Sequence, residues 1–148
     1  MEIWLIEGPN LNLVGIREPD TYGTRTLDAL WGNWLPGWKA RGINVHRMQT
    51  NVEGELVNRL HEVGFTASGI VLNPGGYTHT SVAIRDAVAA IAAPVVEVHL
   101  SNIHAREDFR RVSLLSPVCR GGIFGLGLEG YRLAVEGIAS FTGDLTGQ

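Results

Sequence analysis

Three polar segments of this 148-residue chain carry side chains suited to proton transfer on a small anion, and each begins just after a short apolar run. The first is Gly8-Pro9-Asn10-Leu11-Asn12, running on to Arg17-Glu18-Pro19-Asp20-Thr21-Tyr22-Gly23. The second is Asn73-Pro74-Gly75-Gly76-Tyr77-Thr78-His79-Thr80-Ser81. The third is Glu97-Val98-His99-Leu100-Ser101-Asn102-Ile103-His104-Ala105-Arg106. Brought together, they supply groups that can take one proton, give another and bind a carboxylate, with no metal or redox cofactor required.

Tyr22 is a candidate base once Arg17 is considered with it. A phenol titrates near pH 10, so ionising it at pH 7 costs roughly 4 kcal/mol. A guanidinium a few ångströms away lowers an acid's pKa by about 1 to 3 units, which offsets most of that cost. The five-residue separation, in a loop punctuated by Pro and Gly, allows both groups to share one site and to close over a substrate. His99 stands at the carboxyl end of an apolar run. Glu97, two residues back on the same strand face, is placed to orient its imidazole. Ser101 or Asn102 reads as the N-cap of a helix over residues 103–111, and a helix N-terminus favours a bound carboxylate. Arg106 and Arg110 would share a face of that helix, so either could reach the pocket. Asn73, at another strand end, can hydrogen-bond a ligand hydroxyl or carboxylate. Thr78 or Thr80 reads as the cap of the helix that follows, and His79 projects from its loop or first turn.

The elements that must position these groups alternate between strand and helix. Residues 3–6, 43–48, 69–72, 95–98 and 122–124 are short β-rich runs. Between them, residues 53–63 align Leu56, Val57, Leu60 and Val63 on one stripe, and residues 80–92 and 131–141 repeat that pattern. Alternation of this kind predicts a single α/β domain spanning residues 1–148. A flavodoxin-like three-layer fold with a five-stranded parallel sheet suits the length, and loops after its strands converge at one sheet edge. The first helix, over residues 26–41, contains Gly32 and Pro36-Gly37 among Trp31, Trp34 and Trp38. An interior proline costs roughly 3 kcal/mol, so a kink or break is expected near Leu35. The tryptophans read as packing or interface residues.

Composition narrows the function further. A net charge of −3 gives no reason to expect nucleic acid, and no apolar run approaches a membrane span. The chain enters an apolar strand at once without a basic leader, and Cys119 stands alone, which together predict a cytoplasmic protein. Gly125-Leu126-Gly127-Leu128-Glu129-Gly130 has the spacing of a dinucleotide-binding loop but falls in the last β/α unit, so helix–strand packing explains its glycines better. The five histidines form no metal-ligand spacing, so zinc is not expected.

Taken together the three loops resemble the type II 3-dehydroquinate dehydratases. Gln49-Thr50-Asn51-Val52-Glu53-Gly54-Glu55-Leu56, Ser116-Pro117 and Gly130-Tyr131-Arg132-Leu133-Ala134 extend the likeness over nearly the whole chain. The resemblance implies a flavodoxin-like fold and anti elimination of water from 3-dehydroquinate through an enolate, without a cofactor. It makes Tyr22 the base at C2, with Arg17 lowering its pKa, and His99, supported by Glu97, the acid at the C1 hydroxyl. Asn10 would steady the enolate through water. Asn73, Leu100 and Ser101 would hold the carboxylate, and His79 and Arg110 the ring hydroxyls. Asp86 would reach in from a neighbouring subunit of a trimer that assembles into a dodecamer. Three positions depart from the family's usual pattern: Glu7 stands in place of Asn, and Val52 and Val112 each in place of a His. A non-catalytic paralogue binding a small carboxylate or a protein partner, and a flavin or nucleotide carrier, are the competing expectations.

Overall fold

The computed structural model describes residues 1–16, 20 and 26–146, with side chains as far as residue 143. Five strands, β1 (Glu2–Glu7), β2 (Asn44–Gln49), β3 (Gly69–Asn73), β4 (Val95–His99) and β5 (Gly121–Phe124), form one sheet in the order β2-β1-β3-β4-β5. Every pairing is parallel, with Ile6 opposite both Met48 and Leu72. A parallel sheet is covered on both faces, which is why β3 and β4 are apolar almost throughout and buried at all five positions.

Helices α1 (Leu27–Ala40) and α4 (Glu129–Thr146) cover one face, packing Leu30, Trp38, Tyr131 and Ile138 on Ile3, Leu5 and Val71. Helices α2 (Glu53–Val63) and α3 (Val82–Ala90) cover the other, with Leu56, Leu60, Ile84 and Val88 on Ile6, Ile70 and Leu72. Each of these side chains contributes roughly 1.5–3 kcal/mol by leaving water, so the apolar stripes decide which face of each helix turns inward. The expected α/β architecture and all five strands are present, as is the amphipathic helix over residues 53–63.

Three local expectations are corrected. Helix α1 runs unbroken from Leu27 to Ala40 through Pro36. Thr26 caps it by accepting from the Ala29 N–H at 3.3 Å, while buried Leu27, Leu30 and Trp38 hold it on both sides of the proline. Trp38 Nε1 also donates to Glu136 at 3.0 Å, tying the last turn to α4. Pro36 lies on the exposed side, where water can satisfy the carbonyl it leaves without a donor. Ser81, rather than Thr78 or Thr80, caps α3, its Oγ accepting from the Ile84 N–H at 2.9 Å. The chain first makes a 3₁₀ turn at Gly75–His79 that buries Thr78, so the helix starts later. Residues 103–111 form two 3₁₀ turns, Ile103–Ala105 and Asp108–Arg110, in place of a helix. Asn102 caps the first by accepting from the His104 N–H at 3.1 Å. Ile103 is buried but Phe109 is 67% exposed, so the segment has no apolar stripe with which to hold a longer helix against the sheet.

Candidate active site

In this strand order the chain reverses direction between β1 and β3, the place where doubly wound sheets open a crevice beyond their carboxyl ends. Two loops meet there at backbone distance. The Gly8 N–H donates to the Asn73 carbonyl at 2.7 Å, and a Cβ on Gly8 would lie 2.6 Å from the Pro74 oxygen. Gly75 adopts φ +60° opposite the Pro9 carbonyl, a conformation a side chain would strain. Asn10 also has a positive φ, 70°, which asparagine tolerates better than most residues. Its N–H donates to Asn51 Oδ1 at 3.0 Å, and Gln49 Nε2 braces the same loop through the Gly8 carbonyl at 3.0 Å. The Gln49–Asn51 segment therefore holds Asn10 at the rim of the cleft.

His99 closes the floor of that cleft. It is buried, and its Nε2 lies 3.1 Å from a carboxylate oxygen of Glu97. An ionised carboxylate only accepts, so Nε2 carries a hydrogen and Nδ1 is the nitrogen left to exchange a proton. Glu97 has no exposed surface and collects three hydroxyl donors besides: Ser113 at 2.6 and 2.8 Å, Ser116 at 2.9 Å and Thr78 at 3.2 Å. Burial opposes its ionisation, but the hydrogen bonds from His99, Ser113 and Ser116 and the nearby imidazole charge prevail. The carboxyl is held below its ordinary value. Phe124 stacks on the His99 ring at 5.7 Å and 13°, fixing its plane. His79 also stacks on His99, with its ring centre 6.4 Å away. The Val112 carbonyl accepts from His79 Nδ1 at 2.8 Å, so Nε2 of His79 is the nitrogen left for a ligand.

Asn10, Asn73, His79 and His99 all line the cleft, together with Leu100, Ser101 and Arg110. Arg106 lines it as well, donating to Ser101 Oγ at 3.4 Å, so both arginines reach the pocket from turns rather than from a shared helix face. Arg110 is steered by Glu107, which accepts from its Nε at 2.6 Å. Glu97 sits behind His99. Asp86 is exposed on α3 beside Arg85 and is not among the residues lining this cleft. Arg17 and Tyr22 lie outside the described residues. Gly125 and Gly127, both at positive φ, donate their N–H groups to the carbonyls of His99 and Leu100. The glycine-rich loop thus steadies the strand end that carries His99. Gly130, its last glycine, lets α4 approach Val98, as the packing reading expects.

Sequence reasoning missed the hydroxyl cage around Glu97 and a second buried chain, Asn73–Tyr131–Glu7. Asn73 Nδ2 donates to the Tyr131 oxygen at 2.8 Å, and the Tyr131 hydroxyl donates to Glu7 at 2.8 Å. The available signal was Glu7 itself, an acidic residue directly after the apolar run of residues 3–6.

Residues 1–139 match the family described as dehydroquinase class II. The chain belongs to that family. A 3-dehydroquinate dehydratase of Fusobacterium nucleatum is 54% identical over 138 residues, covering 91% of this chain and 94% of that one. Another, from Desulfitobacterium hafniense, is 50% identical over 135 residues, 91% of this chain and 92% of its own. The crystal structure of a type II dehydroquinase from Butyrivibrio crossotus superposes with a TM-score of 0.88 at 44% identity, covering 93% of this chain and 97% of that one. The flavodoxin-like arrangement is thus a dehydroquinase fold. No helix among the described residues is long and apolar enough to cross a membrane.

Proposed function

We propose that this cleft eliminates water from 3-dehydroquinate with His99 as the acid and Tyr22 as the base. As a class II dehydroquinase the chain is a hydro-lyase of the shikimate pathway, converting 3-dehydroquinate to 3-dehydroshikimate. The observation that carries the assignment of roles is the His99–Glu97 pair, buried at the floor of a cleft rimmed by amides and two arginines. Tyr22, its phenol made more acidic by Arg17, removes the C2 proton and an enolate forms. His99 then protonates the C1 hydroxyl from Nδ1 as it departs, while Glu97 offsets the imidazolium charge. Asn10 steadies the enolate oxygen through a water molecule. Asn73, Ser101 and the Leu100 backbone hold the carboxylate, and His79 and Arg110 hold ring hydroxyls. These steps consume and return one proton and call on no metal or cofactor.

Asp86, exposed and outside the lining of its own cleft, completes the site of a neighbouring copy in a trimer, and trimers assemble into a dodecamer. Support for an assembly comes from exposed apolar side chains, among them Val52, Val82 and Val112. The family's place in aromatic biosynthesis supports a cytoplasmic enzyme.

The test is ultraviolet absorbance of the conjugated enone after 3-dehydroquinate is added to chelator-treated protein. Turnover should persist without metal and fall roughly 10²–10⁴-fold in Tyr22→Phe and in His99→Ala, the usual worth of a positioned base or acid. Full activity in either variant would remove that residue from its role. Binding without turnover in the native chain would favour a non-catalytic paralogue.

A further inference from the structure

We propose that Glu7 is a positioning residue for the dehydration: through the Tyr131 hydroxyl it fixes which way round the Asn73 amide faces the cleft. Glu7 is the last residue of β1 and is 3% exposed, while Tyr131 on α4 has no exposed surface. The Tyr131 hydroxyl therefore cannot turn to solvent. An ionised carboxylate only accepts, so the Tyr131 proton is committed to Glu7 at 2.8 Å and the phenol oxygen is left as an acceptor. Asn73 answers with Nδ2–H at 2.8 Å, and its Oδ1 accepts from the Gly75 N–H at 3.1 Å. Rotating the amide by half a turn would set its oxygen against the phenol oxygen and its NH₂ against the Gly75 N–H, two repulsive pairs. One orientation survives. It leaves the second Nδ2–H of Asn73 as the donor available to an oxygen in the cleft that Asn73 lines.

The lock is electrostatic, so it can be released by protonating Glu7. Burial pushes that carboxyl up to about 6, opposed by the Tyr131 hydrogen bond and by the Arg47 charge, and reinforced by Asp28. These are the groups that face it: Arg47 of β2 at 3.7 Å, Asp28 of α1 bound to Arg47 at 2.7 Å, and Tyr131 of α4. Burial and the neighbouring Glu7 charge hold the Tyr131 phenol well above its ordinary value, so it stays a donor throughout. A protonated Glu7 can donate to the phenol oxygen, which frees the Tyr131 proton and removes one of the two constraints on the Asn73 amide, leaving the Gly75 N–H to hold it alone.

The inference rests on the reading of Asn73 as a substrate contact, and the experiment separates the two. KM and kcat for 3-dehydroquinate are measured from pH 5 to 8 in the native enzyme and in Glu7→Gln, Tyr131→Phe and Asn73→Ala. Glu7→Gln keeps the size of the side chain but can present either an oxygen or an NH₂ to Tyr131. At pH 8 it should raise KM about 2- to 10-fold, the worth of one hydrogen bond, with kcat within about twofold. Native KM should rise as pH falls through about 6, and that step should be absent in Glu7→Gln. Tyr131→Phe should share the raised KM and the missing step. If Asn73→Ala raises KM while Glu7→Gln keeps both the native KM and the native pH step, the positioning role is overturned and the substrate contact stands. Should Asn73→Ala leave KM unchanged, both fall.

Discussion

At Glu97 four donors converge on one buried carboxylate, whereas Glu7 meets one phenol and a more distant guanidinium, and folding shifts the two in opposite directions. Glu97 is held below 4.5, so its contribution to stability is present above 4.5 and is lost as pH falls through its lower folded value. Glu7 is raised from 4.5 to about 6, so the reverse holds. Stability is fullest below 4.5 and falls as pH rises through 6, by about 2 kcal/mol at 1.36 kcal/mol per pH unit. Glu7→Gln, neutral at every pH, should therefore gain about 2 kcal/mol on the native protein between pH 4.5 and 8. Urea denaturation at the two pH values measures this, and a constant difference would show that Glu7 titrates normally. Ser113 tests the other carboxylate. Ser113→Ala removes a hydroxyl bonded to both Glu97 oxygens and should cost about 1.5–3 kcal/mol, the range for a hydrogen bond to a charged group. It should also change kcat more than KM, because Ser113 is not among the residues lining the cleft. A larger effect on KM would place Ser113 in the binding surface instead.

At the scale of elements, Gly8 and Pro36 make contrasting cases. A methyl on Gly8 would meet the Pro74 carbonyl at 2.6 Å, and neither backbone can yield without separating the loops after β1 and β3. Gly8→Ala should leave the helix content intact by circular dichroism yet abolish most turnover, since Asn10 and Asn73 sit on the two displaced loops. Retained turnover would mean the loops tolerate the shift. Pro36 sits exposed in a helix that neighbours hold in place, so Pro36→Ala should stabilise the protein. An interior proline costs about 3 kcal/mol relative to alanine, and the stiffer unfolded chain it gives returns about 1, leaving a gain of about 2 kcal/mol. A lowered denaturation midpoint would contradict this.

The same two scales explain what was legible beforehand. Leu56, Leu60 and Val63 share one stripe in sequence and in space, so α2 could be read without the fold. Asn10, Asn73 and His99 could be assigned to one cleft because each lies at or just beyond the carboxyl end of a strand of a parallel sheet. Ser113 and Ser116, by contrast, reach Glu97 across 16 and 19 residues of turns whose path no local pattern encodes. The unbroken course of the first helix past Pro36 was hidden for a related reason, since Trp38 and Leu30 override the local preference only once the sheet is there to receive them.

At the scale of the whole molecule, Asp86 poses the remaining question. The cleft of its own chain is lined without it: His99, the Glu97 carboxylate behind it and both bracing loops come from one chain, while Asp86 stands exposed on α3. Val82, 58% exposed, begins the same helix. If a neighbour's Asp86 completes each site, two defective chains can repair one another. Asp86→Ala keeps His99 but leaves its neighbour's site incomplete, and His99→Ala keeps Asp86 but has no acid. In oligomers dissociated and reassembled from equal amounts of both, about a quarter of sites join an intact His99 to an intact Asp86. Measured well below KM, the mixture should recover about that fraction of native activity, whereas each variant alone shows little. Activity no greater than the average of the separate variants would mean that every cleft works with its own chain's residues, and that Asp86 serves the surface alone.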